Sequence, residues 1–319
     1  MEDGRYEAYM IPPNISNHAS FLEILPSGDL ILAWFSGDGE GTSNCSIVVT
    51  KLLEGSELWP EAIAVSWRVG FSNQNPVLFR DSKSGLLYLF HSQQPASGGE
   101  ELAHIWMLYS ADEGVTWSTP TLLFSENGIF DRNRIILSLT GSWVYPMYYS
   151  LDTDYSAMFI TANQEVWSKY TVQGSDYLIQ PSVIRPQSSQ PYLLAFFRDE
   201  RQGFIYNSTS TDDGVTWSTP SPTNLPNNDA AIQATVLKSG NIALVFNPTH
   251  DERYPIRIAL SMDQGKTWPY YRDIDTGLPG CELSYPSILQ SPDGYIHVSY
   301  TYNRQTIKYV KFMEDWIVG

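Results

Sequence analysis

Ser110-Ala-Asp-Glu-Gly-Val-Thr-Trp117 returns twice, as Ser210-Thr-Asp-Asp-Gly-Val-Thr-Trp217 and as Ser261-Met-Asp-Gln-Gly-Lys-Thr-Trp268. The closing tryptophans belong to a longer series, Trp59, Trp117, Trp167, Trp217 and Trp268, spaced 58, 50, 50 and 51 residues apart. A period of that size, in a chain rich in turn residues and aromatics, specifies one sheet-like unit repeated around an axis.

Each copy has its own local logic. An apolar run precedes it (His104 to Tyr109, Phe204 to Asn207, Ile256 to Leu260) and reads as a short strand, with Asp-x-Gly supplying the hairpin turn that follows. The Asp side chain accepts backbone N–H bonds inside that turn, and Gly takes the positive φ that other residues resist. Thr-Trp is expected to begin the returning strand, its indole laid over the turn as a lid on the local core. Asp112, Asp212 and Asp263 should therefore be turn staples remote from chemistry, because they repeat with the fold whereas an active site occurs once.

This repeat resembles the Asp-box of the sialidase (neuraminidase) superfamily. Thr161 to Trp167 is similar to a worn copy, and Thr50 to Trp59 keeps only the ends. The resemblance spans almost the whole chain. It implies an all-β fold, a six-bladed β-propeller of four-stranded antiparallel blades. For activity it is less specific, since Asp-boxes also occur in binding proteins and in enzymes that do not cleave sialic acid.

Bulk properties fit that architecture. Dividing 319 residues by the period leaves about six units, so a single propeller domain over residues 1–319 is expected. Turn triplets Ser27-Gly28-Asp29, Lys238-Ser239-Gly240 and Pro292-Asp293-Gly294 each precede an apolar or alternating run and read as hairpins between a blade's first two strands. No long helix is expected. A formal charge of −16 argues against nucleic acid or anionic membrane as partner, although clustered arginines can still bind one carboxylate. The start lacks a signal-peptide pattern and no apolar run spans a bilayer, so the expectation is a cytoplasmic protein, or a secreted one if the chain was trimmed. A monomer is expected. Cys45 and Cys281 are too few for a disulfide framework and read as free, partly buried thiols, with a bridge between them left open. No metal or organic cofactor is implied, because no His/Cys/carboxylate cluster has ligand spacing.

Polar residues recur where each blade's inner strand would begin: His18, Asn75, Arg132 to Arg134, Gln180, Asp229 and Tyr285. Ends of the second strands offer Asp38 and Glu40, His91, Tyr148, Arg198, Arg253 and Arg304. Polar groups gathered at such points, with apolar strands between, describe a ligand-binding mouth on a rigid scaffold.

The sialidase resemblance implies three arginines gripping a carboxylate, a Tyr nucleophile assisted by a Glu, and an Asp acid/base. Tyr285, in Leu-Ser-Tyr-Pro-Ser, is similar in position to the nucleophile. Arg198 and Arg253, each ahead of an Asp-box, resemble two of the arginines. Glu40, in Gly-Asp-Gly-Glu-Gly, falls in the loop of the acid/base, with Asp38 as runner-up. Two family positions are altered. The Arg-Ile-Pro that would carry the first arginine is missing, and the corresponding stretch offers His18. Where the family has Glu-Pro-Ser, this chain has Gln180-Pro181-Ser182, so the base beside Tyr285 is absent unless Glu282 or Asp229 replaces it. His18 can act as acid, base or anion contact near neutral pH.

The leading expectation is a sialidase-like glycoside hydrolase acting on a carboxylated sugar. Tyr285, His18 and Glu40 would react, while Arg198, Arg253 and Arg132 or Arg134 hold the acid, with Gln180, Asp229 and Tyr148 lining the substrate. One alternative is a lyase or isomerase using His18 and Tyr285 as an acid–base pair. Another is a non-catalytic glycan-binding propeller whose Tyr148, Tyr149, Tyr302 and Trp34 stack on sugar rings.

Overall fold

The computed structural model describes residues 4–319. The chain is all-β, a six-bladed propeller of four-stranded antiparallel sheets. Asp315–Val318 is the single α-helix among the described residues, and no helix is long and apolar enough to cross a membrane.

Contacts divide the chain into two compact units. The first comprises residues up to Asp131 together with Tyr285–Phe312. Its first blade runs Ser16–Ile24, Leu30–Gly37, Ser46–Leu52 and Ile63–Ser66, and its second runs Phe71–Arg80, Leu87–Pro95, His104–Ser110 and Thr121–Phe124. In the last blade the early strand Tyr6–Tyr9 pairs antiparallel with Thr306–Phe312, so the two ends of the chain share one sheet. Leu22, Leu32, Trp34 and Val48 of the first blade pack with Leu289, Ile307 and Tyr309 of the last.

The second unit comprises Arg132–Ser284 and the C-terminal residues from Met313. Trp143–Tyr149, Tyr155–Thr161 and Ser168–Thr171 form the body of its first blade, with the short Ile136–Leu137 pairing inside Trp143 and Val144. Leu178–Ile184 to Ser221–Pro226 make the next blade, and Gln233–Val236 to Tyr270–Asp275 the one after. Val144, Met158, Val183 and Phe197 fill one blade interface, and Ile184, Phe196, Leu244 and Trp268 fill the other. The second strands Leu30–Gly37, Trp143–Tyr149 and Leu193–Asp199 are buried throughout. Neighbours cover both of their faces, which explains their near-continuous apolar runs.

The repeats are turn staples, as their sequence implied. Asp112 accepts the Thr116 N–H at 2.8 Å and the Thr116 hydroxyl at 2.6 Å, and Ser110 Oγ accepts the Gly114 N–H at 2.8 Å. Asp212 and Asp263 repeat the pattern, and in the worn copy Asn163 Oδ1 accepts two N–H groups. Gly114, Gly214 and Gly265 have φ of 83°, 95° and 84°. Each turn presses on the preceding blade: a Cβ on Gly214 would lie 3.2 Å from Val144, and one on Gly265 3.0 Å from Leu194. The expectation that Thr-Trp begins the returning strand is corrected. Those strands begin at Thr121, Ser221 and Tyr270, each just after a proline (Pro120, Pro220, Pro269) that has no N–H to give a ladder. Cys45 and Cys281 are free thiols. Cys45 donates to Asn73 O, and burial pushes its pKa up to about 12.

Candidate functional site

His18, Asn75, Gln180 and Tyr285, expected to begin inner strands, lie inside them, at or beside a break in the backbone. Asn75, Gln180, Asp229 and Tyr285 have φ of 49°, 51°, 56° and 54°, and Ala19, next to His18, has 58°. Strand pairing slips at the same points, between His18 and Phe21, Gln74 and Val77, and Ile179 and Ser182. Such bulges re-aim side chains out of the ladder and cost about 1–3 kcal/mol each for a non-glycine residue. Asp229 lies ahead of its strand, Gln233–Val236, and Arg132 to Arg134 lie between Ile129–Asp131 and Ile136–Leu137.

In the first unit the bulges bring four expected or mouth-lining residues together. The His18 and Tyr285 rings are 4.1 Å apart by centroid, tilted at 49°. His18 is fully buried and Tyr285 is 7% exposed. Nδ1 of His18 lies 2.8 Å from Thr301 Oγ1, and its Nε2 faces Nη2 of Arg304 at 3.5 Å. A guanidinium can only donate, so Nε2 is the unprotonated nitrogen and Nδ1–H donates to Thr301. Arg304 Nη1 donates to Glu40 Oε2 at 2.6 Å. Glu40 stands in the loop after Leu30–Gly37, as does the exposed Asp38. Arg304 had been counted among the mouth residues but given no role. Its signal was Asn303 before it: both residues take positive φ, 54° and 53°, in the hairpin after Ile296–Tyr302.

In the second unit Arg198 and Arg253 meet around Asp229. Arg198 donates through Nε and Nη2 to Asp229 Oδ1, both at 2.7 Å, while Arg253 Nη2 donates to the Asp229 carbonyl at 3.2 Å. Arg253 Nη1 also donates to Glu282 at 2.8 Å, and the Ser284 hydroxyl donates to the same oxygen at 2.8 Å. Both acids named as replacement bases for Tyr285 are therefore committed to guanidinium groups. Sequence reasoning missed Glu200 and Asp154. Burial first, and then the charge and hydrogen bond of Asp154, push the Glu200 pKa up to about 8 against the pull of Arg198. No motif marks this pair.

Other expected residues are interior. Gln180 (1% exposed) donates to the Tyr148 hydroxyl at 3.4 Å, its carbonyl accepts from Asn133, and Asn133 accepts from Gln233. This amide chain ties the blades of the second unit together. Arg132 is buried and Arg134 partly buried. Trp34, Tyr148 and Tyr149 are also buried, with Trp34 donating to Asn17, so these rings are not surfaces for stacking on sugars. His91, expected near a strand end, sits inside Leu87–Pro95, bonded to Ser66 at 2.8 Å, its pKa lowered to about 4 by burial.

A model of the BNR repeat-like domain matches residues 28–298. The chain belongs to this family. Its fold is shared with solved sialidases: a Hadza microbial sialidase superposes with a TM-score of 0.83 at 17% identity, covering 96% of this chain and 67% of that one. The intramolecular trans-sialidase from Ruminococcus gnavus superposes with a TM-score of 0.80 at 15% identity, covering 96% of each. A Dyadobacter fermentans protein of unknown function gives 0.79 at 16% identity, over 97% and 98%. No curated protein matches the sequence.

Proposed function

We propose that this BNR repeat-like protein is a sialidase-like glycoside hydrolase acting on a carboxylated sugar. The observation that carries the reading is the contact of the Tyr285 ring with the His18 ring, beside the Arg304–Glu40 pair. The phenol oxygen would attack the anomeric carbon as the bond to the leaving oxygen breaks. Protonated Glu40 gives that oxygen its proton, and His18 receives the phenol proton. Water then cleaves the tyrosyl–sugar bond, keeping one proton as the new sugar hydroxyl and giving the other to Glu40, while His18 returns the phenol proton to the phenolate. Arg304, in the same unit, is the candidate partner of a carboxylate. The Ruminococcus gnavus structure is a complex with oseltamivir carboxylate, which supports the ligand class.

The neutral His18 nitrogen also favours a second reading, in which His18 abstracts a proton next to the carboxylate and the leaving group departs by elimination. Mass spectrometry separates the two, since elimination yields an unsaturated sugar without added water. The test is turnover of aryl glycosides of N-acetylneuraminic acid and of uronic acids by wild type and by Tyr285→Phe. Loss on the order of a thousandfold in kcat is expected for the variant. Undiminished turnover in Tyr285→Phe, or none by wild type on any acidic glycoside, rejects the hydrolase.

A further inference from the structure

We infer that Glu40 occupies, in the ligand-free protein, the anion site of Arg304 that a substrate carboxylate takes over, so that the Glu40–Arg304 pair is a latch opened by the ligand. The inference rests on the proposed reading of the substrate as a carboxylated sugar.

The two partners are held very differently. Arg304 is fixed from below: its carbonyl accepts the Asn17 N–H at 2.6 Å, and the next carbonyl, of Gln305, accepts Asn17 Nδ2 at 2.9 Å. Asn17 is fully buried, and its remaining side-chain oxygen accepts the Trp34 indole N–H at 2.8 Å, so the amide that clamps the hairpin is itself immobile. His18 Nε2 then faces the guanidinium from the neighbouring blade.

Glu40 stands between two glycines, Gly39 and Gly41, the second at φ 79° with open space around its Cα. The loop's internal bonds join Thr42 to Gly39 and Asn44 to Asp38 and Thr42, and leave Glu40 outside them. Both side chains of the pair are about one-third exposed, Arg304 at 32% and Glu40 at 34%. A carboxylate arriving from solvent can therefore reach Arg304, and the glycine-flanked Glu40 is the member able to yield. Exchange of one carboxylate for another keeps the guanidinium paired throughout, and it frees Glu40 to take up from solvent the proton it then donates only when an acid-bearing sugar is present. Neutral sugars would leave the latch shut.

The test compares binding of N-acetylneuraminic acid and its methyl ester by titration calorimetry to wild type, Glu40→Gln, Arg304→Met and Arg304→Lys. An exposed ion pair is worth up to about 1 kcal/mol, so Glu40→Gln should bind the acid about three- to fivefold more tightly, with ester binding unchanged. Arg304→Met should lose the preference for acid over ester, and Arg304→Lys should retain part of it. Acid binding that is unchanged, weaker or absent in Glu40→Gln, or an acid preference that survives in Arg304→Met, overturns the latch. If Glu40→Gln tightens acid binding while no glycoside is cleaved, the latch stands and the hydrolase reading fails. If turnover depends on Tyr285 while acid binding ignores Glu40, the outcome is the reverse.

Discussion

Replacing Gly265 by alanine isolates what the repeated turn contributes to blade packing. At φ 84° an alanine pays about 1–2 kcal/mol for the left-handed backbone alone. Its Cβ would also lie 3.0 Å from Leu194 Cδ2 and 3.1 Å from Phe196 Cζ, both on buried side chains, and an aromatic ring in a packed core cannot give by rotating a terminal methyl. Overpacking of this kind adds about 1–3 kcal/mol. Gly240, in the same unit, is the matched control: its φ is 87° but nothing lies within 4 Å of the added carbon, so only the backbone cost applies. At about 2–3 °C per kcal/mol, Gly265→Ala should melt about 2–9 °C below Gly240→Ala. Gly114→Ala should fall between them, because its 2.7 Å contact is with the mobile end of Ile31. The assay is thermal unfolding by calorimetry at one pH and scan rate. Equal shifts for Gly265→Ala and Gly240→Ala would refute the idea that these turns act as buttons between blades.

Two pH effects follow from named groups. The Thr116 and Thr267 hydroxyl and N–H bonds lower the pKa of Asp112 and Asp263 to about 2, so the stabilisation they give is present above about pH 4 and is lost as pH falls through about 2. Urea unfolding between pH 5 and 2 should show Thr116→Val/Thr267→Val starting less stable and losing less across that window. Glu200 has the opposite sign. With its pKa raised to about 8, the folded state holds a proton that the unfolded state releases near ~4.3, so wild type should lose stability as pH rises from about 5 to 8. Glu200→Gln should flatten the melting profile over that range; an unchanged slope would mean that Glu200 is ionised in the folded protein.

The fold was legible because its signal is periodic and local. Asp, Gly and Trp at fixed offsets report a turn whose hydrogen bonds close within five residues, as Asp112 and Thr116 show. The bulges were legible only in part: Gln180 and Tyr285 read as strand openings, whereas each is the third residue of its strand, where the backbone turns to positive φ. Partnership was not legible. Arg304 and Glu40 are 264 residues apart in sequence, and nothing near Glu40 announces the guanidinium. Glu200 and Asp154 were invisible because a carboxyl's protonation depends on burial and on a neighbour from another blade. Burial also reversed the reading of Trp34 and Tyr149, which composition alone offered as rim aromatics.

The two departures from the family pattern look like losses in sequence, and the structure shows what each residue contacts instead. His18 stands where a guanidinium was expected, and its Nε2 lies 3.5 Å from the guanidinium of Arg304, which a different hairpin supplies. Gln180 stands where a carboxylate was expected, at 1% exposure, in a chain of amides and one phenol that runs from Gln233 through Asn133 to Tyr148. The Gln180 side-chain N–H donates to the Tyr148 hydroxyl, a role an ionised carboxylate could not fill, whereas the bond from Asn133 falls on the Gln180 backbone carbonyl, which any residue would offer. On the proposed reading, His18, in the same unit as Tyr285, is the base that serves it.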